Sequence, residues 1–334
     1  MRRWRSARSA SRAHASWAPP SLHPRVLHEP ADRSRNVTST ASIPALSWCI
    51  RRAALVAATG FCLAGVTLAH AAEGEDVPLS PAPAASAAPD SPDSEPTSGS
   101  IEVGVAGAHL SDGLQHWTDG YALGSFRPAA GTVLYWSLAS QRHFGETGTV
   151  GALSMVHDFT PDWYGMVGVS GASASFQNRY RLDAGAYRKW GEERRWVTGI
   201  ALMHSASGDH IHHDNALRAT LLYYAPADWI GEAGLSVNRS SPGAVTSTRG
   251  FVAATLGQVG KRTVGLRLEH GQEGYLPVAA GMDLPLNVRF RSSEATLQWR
   301  QWVTRRWGYV VGAQLYRNPY YHRAGLQFGI FMDF

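Results

Sequence analysis

From Ile101 to the C-terminus the chain alternates. Apolar residues take every second position in blocks of about ten, and no window sustains the 3.6-residue period of an amphipathic helix. Ile101, Val103 and Val105 oppose Glu102, Gly104 and Ala106. Tyr180, Leu182, Ala184 and Ala186 oppose Arg181, Asp183, Gly185 and Tyr187. Leu217, Ala219, Leu221 and Tyr223 oppose Arg218, Thr220, Leu222 and Tyr224. Val264, Leu266 and Leu268 oppose Gly265, Arg267 and Glu269. Ala295, Leu297 and Trp299 oppose Glu294, Thr296, Gln298 and Arg300. A period of two puts each set on one face of a β-strand.

Short polar turns separate the blocks: RPAAG at 127–131, TPDW at 160–163, GEERR at 191–195, APAD at 225–228, VGKR at 259–262 and TRR at 304–306. Six turns make six hairpins, and a first and last strand bring the expected total to 14. Residues 100–334 then give about 17 residues per strand with its connection, enough for membrane strands of ~9–11 residues. Twelve strands are the alternative, because 147–157 and 244–257 alternate poorly. Between the short turns lie connections of varied length, including 207–214 and 273–286. The expected fold is all-β: an antiparallel up-and-down transmembrane barrel, with short turns at one end and longer loops at the other. A soluble sandwich would show the same alternation. The charged second face, the aromatics Trp163, Trp196, Trp229 and Trp307 at strand ends, and the need to hide sheet edges favour the barrel.

The C-terminus carries the pattern to its end. Leu326, Phe328, Ile330, Met332 and Phe334 form an uncharged face, and Arg323, Gln327 and Asp333 belong to the other. Gln327, Gly329, Met332 and Phe334 fill a polar–x–Gly–x–x–apolar–x–aromatic pattern. It resembles the C-terminal signal read by the outer-membrane barrel-assembly machinery, so that machinery and periplasmic chaperones are expected partners.

Charge redraws the picture once. The chain has a net charge of +5, yet residues 1–72 hold ten Arg against Glu29 and Asp32 alone, leaving 21 basic and 24 acidic groups in the rest. The basic excess therefore says nothing about the folded part, and a nucleic-acid partner loses its main support. Both cysteines, Cys49 and Cys62, lie in the same leading segment, so no disulfide framework or thiolate metal site is expected beyond it. Residues 49–71 read as a secretory signal: Arg51 and Arg52, an apolar run over 53–69, and an Ala69-His70-Ala71 cleavage site. Residues 1–48 read as an unstructured leader, with a mis-assigned start as one reading. Residues 72–99, rich in Pro, Ala, Ser and acids, read as a disordered periplasmic linker to a barrel over 100–334.

The candidate chemistry falls in two places. His204, Ser205, Asp209, His210, His212, His213 and Asp214 crowd one connection and could suggest a metal site or a Ser/His hydrolase. His and Asp are ordinary in such loops, so no catalytic residue, metal or cofactor is expected. Arg181, Asp183, Arg218, Arg267, Glu269, Glu294, Arg300 and Arg323 all belong to the polar face and are the candidate lumen lining. They read equally as a selective pore wall or as a salt-bridged interior. The 270–287 connection could form a constriction or a surface loop.

The stretch EVGVAGAHLSDGLQHWTDGYALGSFRPAAGTVLYWSLASQRHFG resembles the opening of YaiO-family outer-membrane proteins. There a first strand leads to a Leu-Ser-x-Gly loop, a Trp, a second strand and a Gly turn; here these are Leu110, Ser111, Gly113, Trp117 and Gly131. The resemblance implies a Gram-negative outer-membrane barrel, and it tilts the reading toward surface-polysaccharide systems. The expected function is a pore or passage for surface polysaccharide or small solutes, set in outer-membrane lipid and doing no covalent chemistry. An outer-membrane enzyme with a site near 204–214, or a structural or adhesive barrel with a closed lumen, are the alternatives.

Overall fold

The computed structural model describes residues 99–275 and 288–334. The expected leader, signal peptide and linker lie outside the described residues, save Gly99, which opens the first strand. Fourteen strands follow: β1 (Gly99–Leu110), β2 (Trp117–Ala129), β3 (Thr132–His143), β4 (Glu146–Asp158), β5 (Trp163–Ala172), β6 (Asn178–Trp190), β7 (Trp196–Ser207), β8 (His213–Ala225), β9 (Trp229–Ser241), β10 (Val245–Gln258), β11 (Arg262–Tyr275), β12 (Val288–Trp302), β13 (Trp307–Arg317) and β14 (His322–Asp333). Each pairs antiparallel with the next, and β14 returns to β1 to close the ring. A closed ring leaves no unpaired edge.

The twelve-strand alternative fails at the two weakly alternating segments, which form β4 and β10. Their alternation is weak because both faces are apolar there. Val156 is 5 % exposed inside the ring while Met155 is 39 % exposed outside it, and Phe251 (7 %) and Val252 (56 %) repeat the arrangement. Leaving aside the twelve residues between β11 and β12 at the end away from the termini, the contrast between short turns and longer loops is small. At the end carrying the termini the connections run from 130–131 to 191–195; at the other they run from 144–145 to 111–116 among the described residues. The strands simply extend further than the pattern indicated. β7 reaches Ser207 and β11 reaches Tyr275, so Gly271 and Gly274 are strand residues rather than loop. The remainder of that connection, 276–287, lies outside the described residues.

Ring closure follows the terminal pattern. Ile101 pairs with Met332, Val103 with Ile330 and Val105 with Phe328. Gly99 and Phe334 exchange backbone hydrogen bonds of 2.9 Å each way. Leu326, Phe328, Ile330, Met332 and Phe334 are exposed on the outer face, while Arg323, Phe331 and Asp333 are buried inside. No acidic residue sits on an outward-facing position of any described strand. Trp163, Trp196, Trp229 and Trp307 each begin a strand at the end carrying the termini. On the outer face the Trp196 ring lies tilted against Tyr223 at 4.4 Å between centroids, and Tyr223 meets Trp229 edge to face at 5.5 Å. Amphipathic rings in such a girdle fit a membrane interface.

Inside, apolar packing is confined to patches. Val156, Tyr164, Met166, Tyr187, Val197 and Leu222 cluster on β4–β8 near the termini end. Leu110, Trp117, Tyr316 and Tyr321 cluster near the opposite end, on the other side of the ring. Two tyrosines need glycine beneath them. A Cβ at Gly199 would lie 2.1 Å from the Tyr187 ring, and one at Gly329 would lie 2.5 Å from the Tyr121 hydroxyl.

Candidate functional site: the inner wall

The charged residues of the inner wall come from strands whose outer face must be apolar, so period-two alternation alone aims them inward. What they meet there depends on ring closure. Arg181 grips Asp183 two residues along β6, through Nε to Oδ2 at 2.9 Å and Nη2 to Oδ1 at 2.8 Å. Arg267 donates to Glu269 at 2.8 Å in the same way on β11. Arg249 on β10 donates to Glu269 at 2.9 Å and to Glu273 at 2.5 Å. The Tyr316 hydroxyl on β13 donates to Glu273 at 3.1 Å.

The sequence set Glu294 and Arg300 on one face of one strand, and the structure gives each a different partner. Arg300 donates to Glu102 of β1 at 2.6 Å and lies over the Phe331 ring, 3.5 Å from its centroid. Glu294 accepts from Gln314 at 2.5 Å and stands 3.8 Å from Arg323 of β14. Six residues separate Glu294 from Arg300, about 20 Å of extended chain, which a guanidinium cannot span. Arg323 has a fully buried side chain held between the Trp117 and Tyr316 rings, 4.7 and 4.8 Å from their centroids. Arg218 stands between the small residues Ala201 and Ser236 on the flanking strands. With Met166, Arg181, Asp183, Tyr187 and Met203 it lines a recess in the wall.

Several members of this wall escaped sequence reasoning. Arg249 lies in the poorly alternating block. Asp119, which pairs with His143 at 2.8 Å, sits in the hairpins read for their family pattern rather than for charge. Tyr121 donates to Glu102 at 3.0 Å and accepts from Gln327 at 2.7 Å, so Gln327 of the terminal pattern also holds the inner wall. Glu102 stood in the alternation from the start, but nothing local to it announces Arg300.

The His/Ser/Asp crowd is taken apart by the same alternation. His204 faces outward, with Nδ1 2.9 Å from Asn215 Oδ1 and Nε2 3.3 Å from the Tyr180 hydroxyl. Ser205 faces inward and is 1 % exposed. Asp214 is inside too and accepts from Asn238 at 2.8 Å, while His213 stacks on His204 with ring centroids 6.3 Å apart. In the loop, Asp209 contacts His212, and His210 takes Arg179 at 2.6 Å. Partial burial would raise the Asp209 carboxyl, but hydrogen bonds from His212 and the Ile211 backbone outweigh it and pull the pKa down to about 2. The sheet therefore stands between the His204 ring and the Ser205 hydroxyl.

The matching family model, described as the YaiO membrane beta barrel domain, covers residues 98–276. The chain belongs to this family. It is an outer-membrane β-barrel, and the matched span runs from β1 through β11. No curated protein matches the sequence. Among solved structures, a bacterial polysaccharide outer membrane secretin is 13% identical, covering 70% of this chain and 98% of that one, with a TM-score of 0.44. The translocator domain of autotransporter NalP from Neisseria meningitidis is 12% identical over 72% of this chain and 90% of its own, at 0.40. A KdgM porin is 14% identical over 70% and 99%, at 0.37. At these values the likeness assigns no function to this YaiO barrel.

Proposed function

We propose that the barrel is a passive passage for small polar or charged solutes across the outer membrane, performing no covalent chemistry. The carrying observation is the layout of the inner-wall ion pairs. Each pair described above joins strands no more than three places apart in a ring of fourteen, so the charges line the wall rather than bridge it. Arg267, Glu269 and Glu294, with side chains 12–20 % exposed, offer a donor and acceptors to a passing solute. Tyr135 and Tyr224, partly exposed beside the buried patch on β4–β8, add rings against which the apolar face of a sugar could rest. A tie to surface-polysaccharide traffic rests on the family resemblance alone.

One observation favours a second reading. Trp117, Tyr164 and Arg323 inside the ring are each at most 2 % exposed, as they would be in a structural barrel closed by its own side chains. Single-channel conductance of the refolded 72–334 chain in a planar bilayer separates the two. Open steps whose ion selectivity changes on Arg267→Glu or Glu294→Lys support the passage. A folded barrel that stays silent sinks it and makes the inner charges structural.

A further inference from the structure

The outer face carries a basic ledge that the passage does not use. Arg289 and Arg291 of β12 and Arg317 of β13 are exposed, at the end of the barrel away from Gly99 and Phe334. Arg317 pairs in register with Ser293, and Arg291 lies two residues from Ser293 on the same face. Such diagonal neighbours sit about 7–8 Å apart, and Arg289 is about 7 Å from Arg291 along the strand. The three arginines thus share one outward patch, at spacings that one or two phosphate groups could bridge. His322 stands beside Arg317 in register, and His270 bonds Ser293 at 2.8 Å on the flanking strand.

Two contrasts set the ledge apart among the described residues. The inner-wall Arg181, Arg249, Arg267 and Arg300 each hold a carboxylate within 3 Å. Among the described residues, Arg289, Arg291 and Arg317 hold none, and the outer strand positions supply no acid. Like charges at this spacing repel unless an anion joins them. The depth is also telling. Leu268, Leu297 and Leu315 are 45–61 % exposed on the outer face beneath the ledge, and Arg317 follows Leu315 by two residues. The termini end joins the expected periplasmic linker, so the ledge at the opposite end sits where the apolar band gives way to the head groups of the outer leaflet.

We propose that this ledge binds the phosphates of a phosphorylated glycolipid of the outer leaflet, the lipid A part of lipopolysaccharide. Guanidiniums fit phosphate as forked donors, while Ser293 and His270 suit sugar hydroxyls. The proposal concerns the outside of the wall and stands whether or not solute crosses the lumen.

The test measures binding of bisphosphorylated and dephosphorylated lipid A to the detergent-folded protein. Wild type should prefer the phosphorylated form. Arg291→Gln and Arg317→Gln should each weaken it about fivefold, and the triple Gln variant with Arg289 on the order of a hundredfold. The single variants keep the test valid where the triple variant fails to fold, with heat modifiability as the check. Arg188→Gln, on the outer face nearer the termini, should leave binding unchanged. Equal binding of both lipids, undiminished binding by the single variants, an equal loss from Arg188→Gln, or displacement by equimolar inorganic phosphate would each overturn the proposal.

Discussion

The hydroxyl of Tyr121 on β2 lies over Gly329 on β14, reaching across β1 at the seam where the barrel closes. It donates to Glu102 and accepts from Gln327, so one phenol ties three strands together. Gly329 is therefore more than a letter in a terminal pattern. Gly329→Ala would place a methyl 2.5 Å from the hydroxyl, and the backbone of a closed sheet has little freedom to yield. The variant should unfold at clearly lower denaturant than wild type in lipid vesicles, by about 1–3 kcal/mol. Tyr121→Ala made together with it should cost less than the two changes summed, because the clash disappears with the ring. Strict additivity in urea titrations would show that the two residues do not meet.

Deleting Phe334 probes a different role of the same strand. Its ring is 45 % exposed on the lipid face, and its backbone pairs with Gly99. Loss of one half-exposed ring at a chain end should shift the stability of the refolded barrel little. Loss of the assembly signal should lower the outer-membrane yield severalfold. Cell fractionation with a heat-modifiability gel reads the yield, and a normal amount of folded barrel in the membrane would refute the signal role.

Acid should loosen the β7–β8 loop. Asp209 has a lower pKa in the folded loop than a free carboxylate, so its contribution favours the folded loop above the unfolded value of ~3.9. That contribution fades as pH falls through about 2. Backbone amides of Ile211 and His212, which donate to Asp209 at 2.8 and 3.0 Å, should lose hydrogen-exchange protection in that window. Asp209→Asn should remove the pH dependence. A variant whose exchange tracks wild type through the window would count against it.

The outside of this barrel was written plainly in the chain, and the inside was not. Lipid imposes one rule on every outward residue, so Leu326, Phe328 and Ile330 announce their face without any partner being known. Inside, a residue's partner is set by closure. Glu102 and Arg300 stand 198 residues apart, and only the return of β14 to β1 brings them together. The same freedom blurred the signal of β4 and β10, where an apolar inner patch weakens the alternation. It also undid the 204–214 crowd, since neighbours in sequence such as His204 and Ser205 point to opposite sides of a strand.

The Glu102–Arg300 pair shows what that closure costs when half of it is removed. The Glu102 side chain is 4 % exposed, and Arg300 is its cationic partner at 2.6 Å. Arg300→Met would strand a buried carboxylate, a loss of about 3–5 kcal/mol where one member of a buried pair is taken away. Glu102→Gln together with Arg300→Met leaves no such charge and should recover much of the loss. Recovery should be incomplete, because Asp333 also stands 3.9 Å from Arg300 and its carboxylate keeps, among the described residues, only the bond from the Trp302 indole at 2.7 Å. Adding Asp333→Asn should then restore more. The order to look for in urea unfolding midpoints is wild type, triple, double, single. A single variant as stable as the double would mean that Glu102 finds water in the lumen, and the seam would then be wetter than its burial indicates.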